Sequence, residues 1–394
     1  MSSSPSPSGG IVHEVCWSDA LPWWILFRAA GAAFSPTVIF LALFGVVAMH
    51  AGWSACDRAG LVVPDAGEAA VAAALGQGGL ALPSPDGVAS IASPLAPGAK
   101  ALPWVAGVVR MVPTPVTEVV RLVSVPFQPT AELSHVAAAA ARVGWFVLVW
   151  GIFGTAITRC VALKLAGEEP VGPLGAIGYG SRKWPPAVNS VLFVLVGMFA
   201  MSVPGALIGL AMRTEWGLAF AGAVWPLVLL GAVVLAILAI GVTVGWPLMV
   251  AAVGVERADS FQAISTTFSY VYQRPLHYAF HGLVALVVAV PSLAAAGVLT
   301  DATSTLAMWA ASFGMGHERA IEVVAGLDGI GPLADTQGMA LLRFWTGGLG
   351  ALVGAFGWGY FWSIATASYL VLRHEVDGTE LDEVVIDEPG SQPV

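Results

Sequence analysis

Five uncharged apolar stretches, at 29–56, 184–212, 216–255, 275–300 and 344–372, limit what this chain can fold into more than any other feature. A helix crosses about 30 Å of hydrocarbon with about 20 apolar residues, so each stretch is long enough to span a bilayer. A sixth, 143–158, lies between Arg142 and Arg159. It reaches the required length if 136–141 and 161–165 extend it and the arginines snorkel. Composition agrees: 57% of residues are hydrophobic and 10% charged, against about 25% charged in soluble domains. The fold class expected is an all-α membrane protein, a six-helix transmembrane bundle with short amphipathic cytoplasmic elbow helices.

The spans are placed at about 29–51, 138–163, 187–211, 222–245, 276–299 and 345–371, within a membrane domain of 29–372. A cytoplasmic segment, 1–28, precedes them; a long outer loop, 57–135, follows the first; and an acidic cytoplasmic tail, 373–394, ends the chain. The stretch 216–255 would measure about 60 Å as one helix, twice the hydrocarbon thickness. A break is therefore expected at Trp246-Pro247, because proline removes a backbone donor and clashes with the preceding turn. Segment 302–316 is too short to span, and 104–128 holds a short amphipathic helix from Thr114 with Val116, Val119, Val120 and Val123 on one face. Both segments are expected to be interfacial or re-entrant, with burial of 104–128 against the bundle as its alternative.

With the N-terminus inside, the cytoplasmic flanks carry Arg28, Arg159, Lys164, Arg182, Lys183, Arg257, Arg274 and Arg373, and the outer flanks Arg58, Arg142, Arg213 and Arg343. That excess places both termini in the cytoplasm. Small-residue pairs at Gly205/Gly209, Gly241/Gly245 and Gly350/Gly354 predict close helix approach. The glycine-rich sixth span is expected at the centre, with Trp358 and Trp362 packing or facing lipid. The polar span residues, Asn189, Ser202, Thr243, Ser363, Thr366 and Ser368, suit interhelical hydrogen bonds.

The polar interruption between the fourth and fifth spans holds the candidate contact residues Glu256, Arg257, Asp259, Arg274, His277 and His281, which could meet lipid headgroups or a partner protein. Asp259 followed by Gln262 predicts a capping box. Phe261, Ile264, Phe268 and Val271 form an apolar stripe opposite Gln262, Ser265, Thr266 and Ser269, and Arg274-Pro275 ends the helix. A fainter copy, Glu169, Ala176-Ile177 and Pro186, is offset by 87 positions at Glu169/Glu256 and at the Ala-Ile pairs, as in a parallel repeat. His277 and His281 share a helix face and are weak metal candidates. A metal site needs further ligands and a second shell, so no metal and no cofactor is assigned.

Trp150-Gly151-Ile152-Phe153-Gly154 with Ala156-Ile157 and Arg159, the elbow from Asp259-Ser260-Phe261 to Arg274-Pro275, and Tyr369-Leu370 with Leu372-Arg373 resemble an uncharacterised family of planctomycete inner-membrane proteins. More remotely, the elbow looks like membrane domains attached to some glycerophosphodiester phosphodiesterases, although no such catalytic domain is present. The resemblance implies a bacterial inner-membrane location and this fold, and it brings no catalytic residues. The glycine-rich stretch 172–180 departs from the helical elbow of that pattern.

The span interiors, taken in the second span as the stretch between Arg142 and Arg159, carry no Asp, Glu, Lys or Arg, whereas ion pathways and proton relays usually need them. The chain has no P-loop, no nucleophile elbow and no paired intramembrane acids. No catalytic residue is therefore assigned. The expected role is a non-enzymatic structural or assembly-supporting membrane protein, touching membrane lipids and a membrane-protein partner through its elbows or acidic tail. The alternative is a permease or lipid-handling protein with a cavity between two helix hairpins, lined by Asn189, Thr243 or His281. Basic residues are not concentrated enough for nucleic acid.

Overall fold

The computed structural model describes residues 21–61, 132–169 and 171–385, with isolated positions 63, 119, 122–123 and 125. Among these residues the regular structure is entirely helical. A short 3-10 turn, Pro22–Trp24, leads into α1 (Ile25–Ala33) and α2 (Pro36–Arg58). Then come α3 (Leu133–Ala166), α4 (Pro173–Ala211) and α5 (Glu215–Glu256). The chain continues through α6 (Ser260–Gln273), α7 (Pro275–Met315), α8 (His317–Leu327) and α9 (Gln337–Asp377). Six of these, α2, α3, α4, α5, α7 and α9, are long and apolar enough to cross a membrane. The protein is an all-α, multi-pass integral membrane protein.

Several boundaries differ from the expected ones. The first apolar stretch is two helices, because Ser35 is extended (φ −68°, ψ 138°) immediately before Pro36. That proline opens α2 at a position whose amide would be unpaired in any case. No break occurs at Trp246-Pro247: α5 runs unbroken through Pro226 and Pro247. Neighbouring helices can hold such a turn in place when its proline removes one bond. Segment 302–316 is likewise not a separate interfacial element, since all but its last residue continues α7. Most of 104–128 lies outside the described residues.

The two proposed repeat halves also differ. Ala176-Ile177 and Pro186 sit inside the continuous α4, whereas Ala263-Ile264 belong to α6 and Pro275 opens α7. Arg274, with φ −129° and ψ 51°, makes the second corner. The glycine-rich stretch before Pro186 does not: only its first residue, Gly172, lies outside the helix.

The core gathers α3, the C-terminal half of α5 and the C-terminal half of α9, with α1 and α2 packed alongside. Its middle is a knot of rings. Trp150 stacks on Trp358 with centroids 4.4 Å apart, and Trp246 meets Trp362 edge-on at 5.3 Å. Phe146 lies 5.4 Å from Trp246 and 5.7 Å from Trp358. Such pairs add about 0.5–1.5 kcal/mol each beyond their burial. Trp358 and Trp362 are thus packing residues, both buried.

Glycines let the helices approach around this knot. A Cβ on Gly154 would come within 2.9 Å of Trp362, and one on Gly254 within 2.1 Å of Thr158 Oγ1. Of the three small-residue pairs, Gly241/Gly245 makes a helix contact, accepting Phe268 and Thr267 of α6. Gly205, Gly209, Gly350 and Gly354 face open space. The sixth span is therefore central only in its second half, from Ala355 onward. Ser202, Thr243, Ser363 and Thr366 donate to carbonyls of their own helices, at Phe199, Ala239, Gly359 and Trp362, rather than between helices. A hydroxyl reaches a carbonyl one turn back without any neighbour.

Beyond the core, the outer halves of α4, α5, α7 and α9 extend with apolar faces uncovered. In the most apolar stretch of α5, 11% is buried, against 83% in that of α3.

Candidate functional site

The candidate contact residues lie where α6 straps the bundle and where α5 and α9 end. Asp259 caps α6, accepting from the Gln262 amide at 2.8 Å. Its carboxylate satisfies one of the free first-turn donors. From there α6 crosses its neighbours in turn. Phe261 stacks on Phe193 of α4 at 5.0 Å, Thr267 and Phe268 fill the Gly245/Gly241 groove of α5, and Tyr270 reaches α9. The buried face is Ala263, Thr267, Tyr270 and Val271. It is rotated from the expected stripe, leaving Phe261 69% exposed, because Thr267 fits against Gly245 of α5 while Tyr270 packs on Tyr369 of α9.

At the end of α5, Arg257 adopts the left-handed conformation (φ 59°, ψ 25°), the only described non-glycine residue with positive φ. That turn sends the chain from α5 back into α6. Glu256, just before it, accepts from Arg373 Nη1 at 3.1 Å. The guanidinium is 5% exposed and the carboxylate 19%. Arg373 is the hub of this end of the bundle. Its Nε donates to Thr379 Oγ1 at 2.8 Å, and its Nη2 donates to the Glu380 and Glu383 carbonyls. It therefore ties α5, α9 and the segment after α9 into one unit.

Two further contacts continue this tie. The Tyr270 hydroxyl donates to Asp377, and His277 Nδ1 lies 2.6 Å from Glu375. Burial, with the neighbouring Asp377 and Glu256 carboxylates, pushes the Tyr270 phenol well above its ordinary value. Tyr270 is thus held as a neutral donor.

Arg274 is exposed at the corner between α6 and α7. His277 is exposed beside Glu375, while His281, one turn on, is 1% exposed with Nδ1 unpartnered. Among the described residues no group of three or more His, Cys, Asp or Glu side chains is placed to hold a metal. Glu256, His277 and the cap Asp259 are thus engaged within the chain.

Arg373, Tyr270 and Asp377 were not singled out as contact residues from sequence. The signal was present: Tyr369, Arg373 and Asp377 are four apart and share one face of α9. Arg159 is, from sequence, a flanking charge and part of the resemblance motif, with no contact assigned to it. In the structure it is buried over the Tyr179 ring at 5.4 Å.

Comparisons with protein-family models, with curated proteins and with solved structures returned no match to this chain. The reading of the site therefore rests on its own geometry.

Proposed function

We propose that this protein is a non-enzymatic structural or assembly-supporting component of a bacterial inner membrane, with both termini cytoplasmic. The carrying observation is the contrast between its two ends. One is interlocked by the tryptophan knot, close glycine contacts and the Arg373 hub. The other presents long apolar helix faces, including Leu227, Leu230, Val298 and Leu299, to its surroundings. A locked base carrying uncovered arms suits a part that is held by lipid and by neighbouring transmembrane helices, which associate by packing rather than by hydrophobic burial. The elbow resemblance to planctomycete inner-membrane proteins supports the same location.

The residues named for a transport path are distributed differently. Thr243 is exposed, Asn189 is half-buried on α4, and His281 is buried on α7. The test is extraction of the full chain from its native membrane in mild detergent, followed by measurement of the particle mass. Vesicles carrying the purified chain are assayed in parallel for solute and lipid flux. A stoichiometric assembly without flux is expected. A lone chain with flux above protein-free vesicles would replace this reading with a permease.

A further inference from the structure

Charge marks different heights on adjoining faces of the bundle. On the α2–α3 face the apolar stretch ends at a clasp, where Arg142 donates to Asp57 and, at 3.0 Å, to the Leu61 carbonyl. The Asp57 carboxylate is 57% exposed. Arg58 beside it is exposed and makes no ion pair among the described residues. The opposite end of that face carries the exposed Lys164, and Arg28 bonded to the Leu165 carbonyl. On the α4–α5 arm the uncharged stretch of α4 instead lies between Arg182-Lys183 and Arg213.

Contacts fix these heights against one another. A Cβ on Gly151 of α3 would lie 2.7 Å from Val188 of α4, and one on Gly180 of α4 would strike the Ile152 carbonyl. α2 is registered on α3 by Gly45, which faces Trp150 and Phe153, and by the Trp53 indole, which donates to the Arg142 carbonyl at 3.2 Å. α3 runs against both α2 and α4. At about 1.5 Å per residue, the clasp is therefore level with about Val196, near the middle of the uncharged stretch of α4. By the same register Phe44 of α2 is level with about Arg182.

A hydrocarbon core of about 30 Å fitted between Lys183 and Arg213 contains the height of Val196, with about 10 Å or more of core beyond it toward Arg213. Fitted instead between Lys164 and the clasp, the core encloses the exposed Arg182, a costly place for a charge. It also leaves the exposed Leu207, Phe220 and Leu227 in water. Tilting the bundle does not remove the step. α2 and α4 touch, so their axes are about 10 Å apart. A step of that size or more between them needs a tilt beyond about 40°, the upper end for membrane helices.

We propose that the α2–α3 face and the α4–α5 arm hold the bilayer at two heights, so that the protein bends the membrane around itself. At the α2–α3 face, phospholipid headgroups reach Asp57 and Arg58 at a height that is hydrocarbon on the arm. The Arg58 guanidinium matches a phosphate edge with two parallel hydrogen bonds. Local deformation of the bilayer is the ordinary response to apolar faces that do not match it. The step concerns the lipid boundary of one chain and stands apart from the assembly role proposed above.

Depth-dependent quenching in vesicles tests it. The full chain carrying Cys16→Ser is reconstituted at no more than a single copy per vesicle; Cys160 is buried and stays in place. Bimane is attached to Cys56, which is partly exposed. In a Cys56→Ala background it is attached instead through Val196→Cys, Phe44→Cys or Ser181→Cys, all at exposed positions. The vesicles are dioleoyl-phosphatidylcholine with a nitroxide either on the headgroup or midway along the acyl chain. Positions 56 and 181 should lose more fluorescence to the headgroup nitroxide, and positions 196 and 44 more to the acyl-chain nitroxide. Each same-height pair, 56 with 196 and 181 with 44, thus reports opposite environments. The same nitroxide dominating at both members of either pair would overturn the proposal, as would position 56 being quenched by neither. Because each vesicle holds a single copy, failure of the assembly reading leaves these depths unchanged.

Discussion

Arg373 of α9 and Glu256 of α5 meet at 3.1 Å with both groups largely out of water. Breaking such a pair from one side leaves an uncompensated charge, a loss of about 3–5 kcal/mol. Arg373 also holds Thr379 and the carbonyls of Glu380 and Glu383, so its removal frees the segment after α9 as well. Arg373→Met is expected to destabilise the chain by at least the lower figure. Glu256→Gln, which keeps a hydrogen-bond acceptor, should cost less. Unfolding in a denaturing detergent series checks the order; equal losses from the two substitutions would show that the pair is not the linchpin.

The glycines divide into those that allow contact and those that do not. Gly254→Ala would set a methyl group 2.1 Å from Thr158 Oγ1. Overpacking of this kind costs about 1–3 kcal/mol. Gly205→Ala meets nothing within 4 Å and should be neutral or gain up to about 1 kcal/mol from helix propensity. Thermal unfolding of the two variants side by side measures the difference, and similar Tm values would contradict the packing described for α3 and α5.

Trp150 and Trp345 make a second controlled pair. Trp150 is fully buried and stacked on Trp358, whereas Trp345 is mostly exposed. Trp150→Ala should cost about 3–5 kcal/mol, and Trp345→Ala far less. Tryptophan fluorescence during unfolding reports both stability and the loss of the stacked pair.

The phenol of Tyr270 supplies a pH-dependent prediction. Its folded value is raised above the ordinary 10.0 by burial and then by Asp377. The linked stability is fully present below about pH 10 and is lost as pH rises from there toward the folded value. Relative to Tyr270→Phe, the wild-type chain should therefore lose Tm above about pH 10. Parallel Tm-against-pH curves for the two proteins would show that the hydroxyl is not held in this way.

The fold class was legible because it depends on sums over long stretches. Six apolar runs without span-interior charge admit few alternatives to transmembrane helices. Proline positions were harder to read. Pro36 and Pro275 open helices, yet Pro186 and Pro247 lie inside them. Local chain chemistry is the same in each case, and neighbouring helices decide. The elbow cap at Asp259 was readable for a related reason: a cap is a contact between residues three apart. The Arg373–Glu256 pair spans 117 positions. Its i, i+4 spacing with Tyr369 and Asp377 indicated a shared face but could not name the partner on α5. Arg159 was obscured by its place beside a span end, where an arginine reads as an anchor until its burial is seen.

The central claim, that the locked base carries arms covered by other transmembrane helices, is tested most directly by photo-crosslinking in the native membrane. A photoreactive residue replaces Leu230 on α5 or Leu299 on α7, both exposed, and in a control replaces the buried Leu248. The account predicts discrete protein adducts from the two arm positions and only intramolecular products from Leu248. Arm positions that label lipid alone, in a chain that migrates as a single copy, would contradict it.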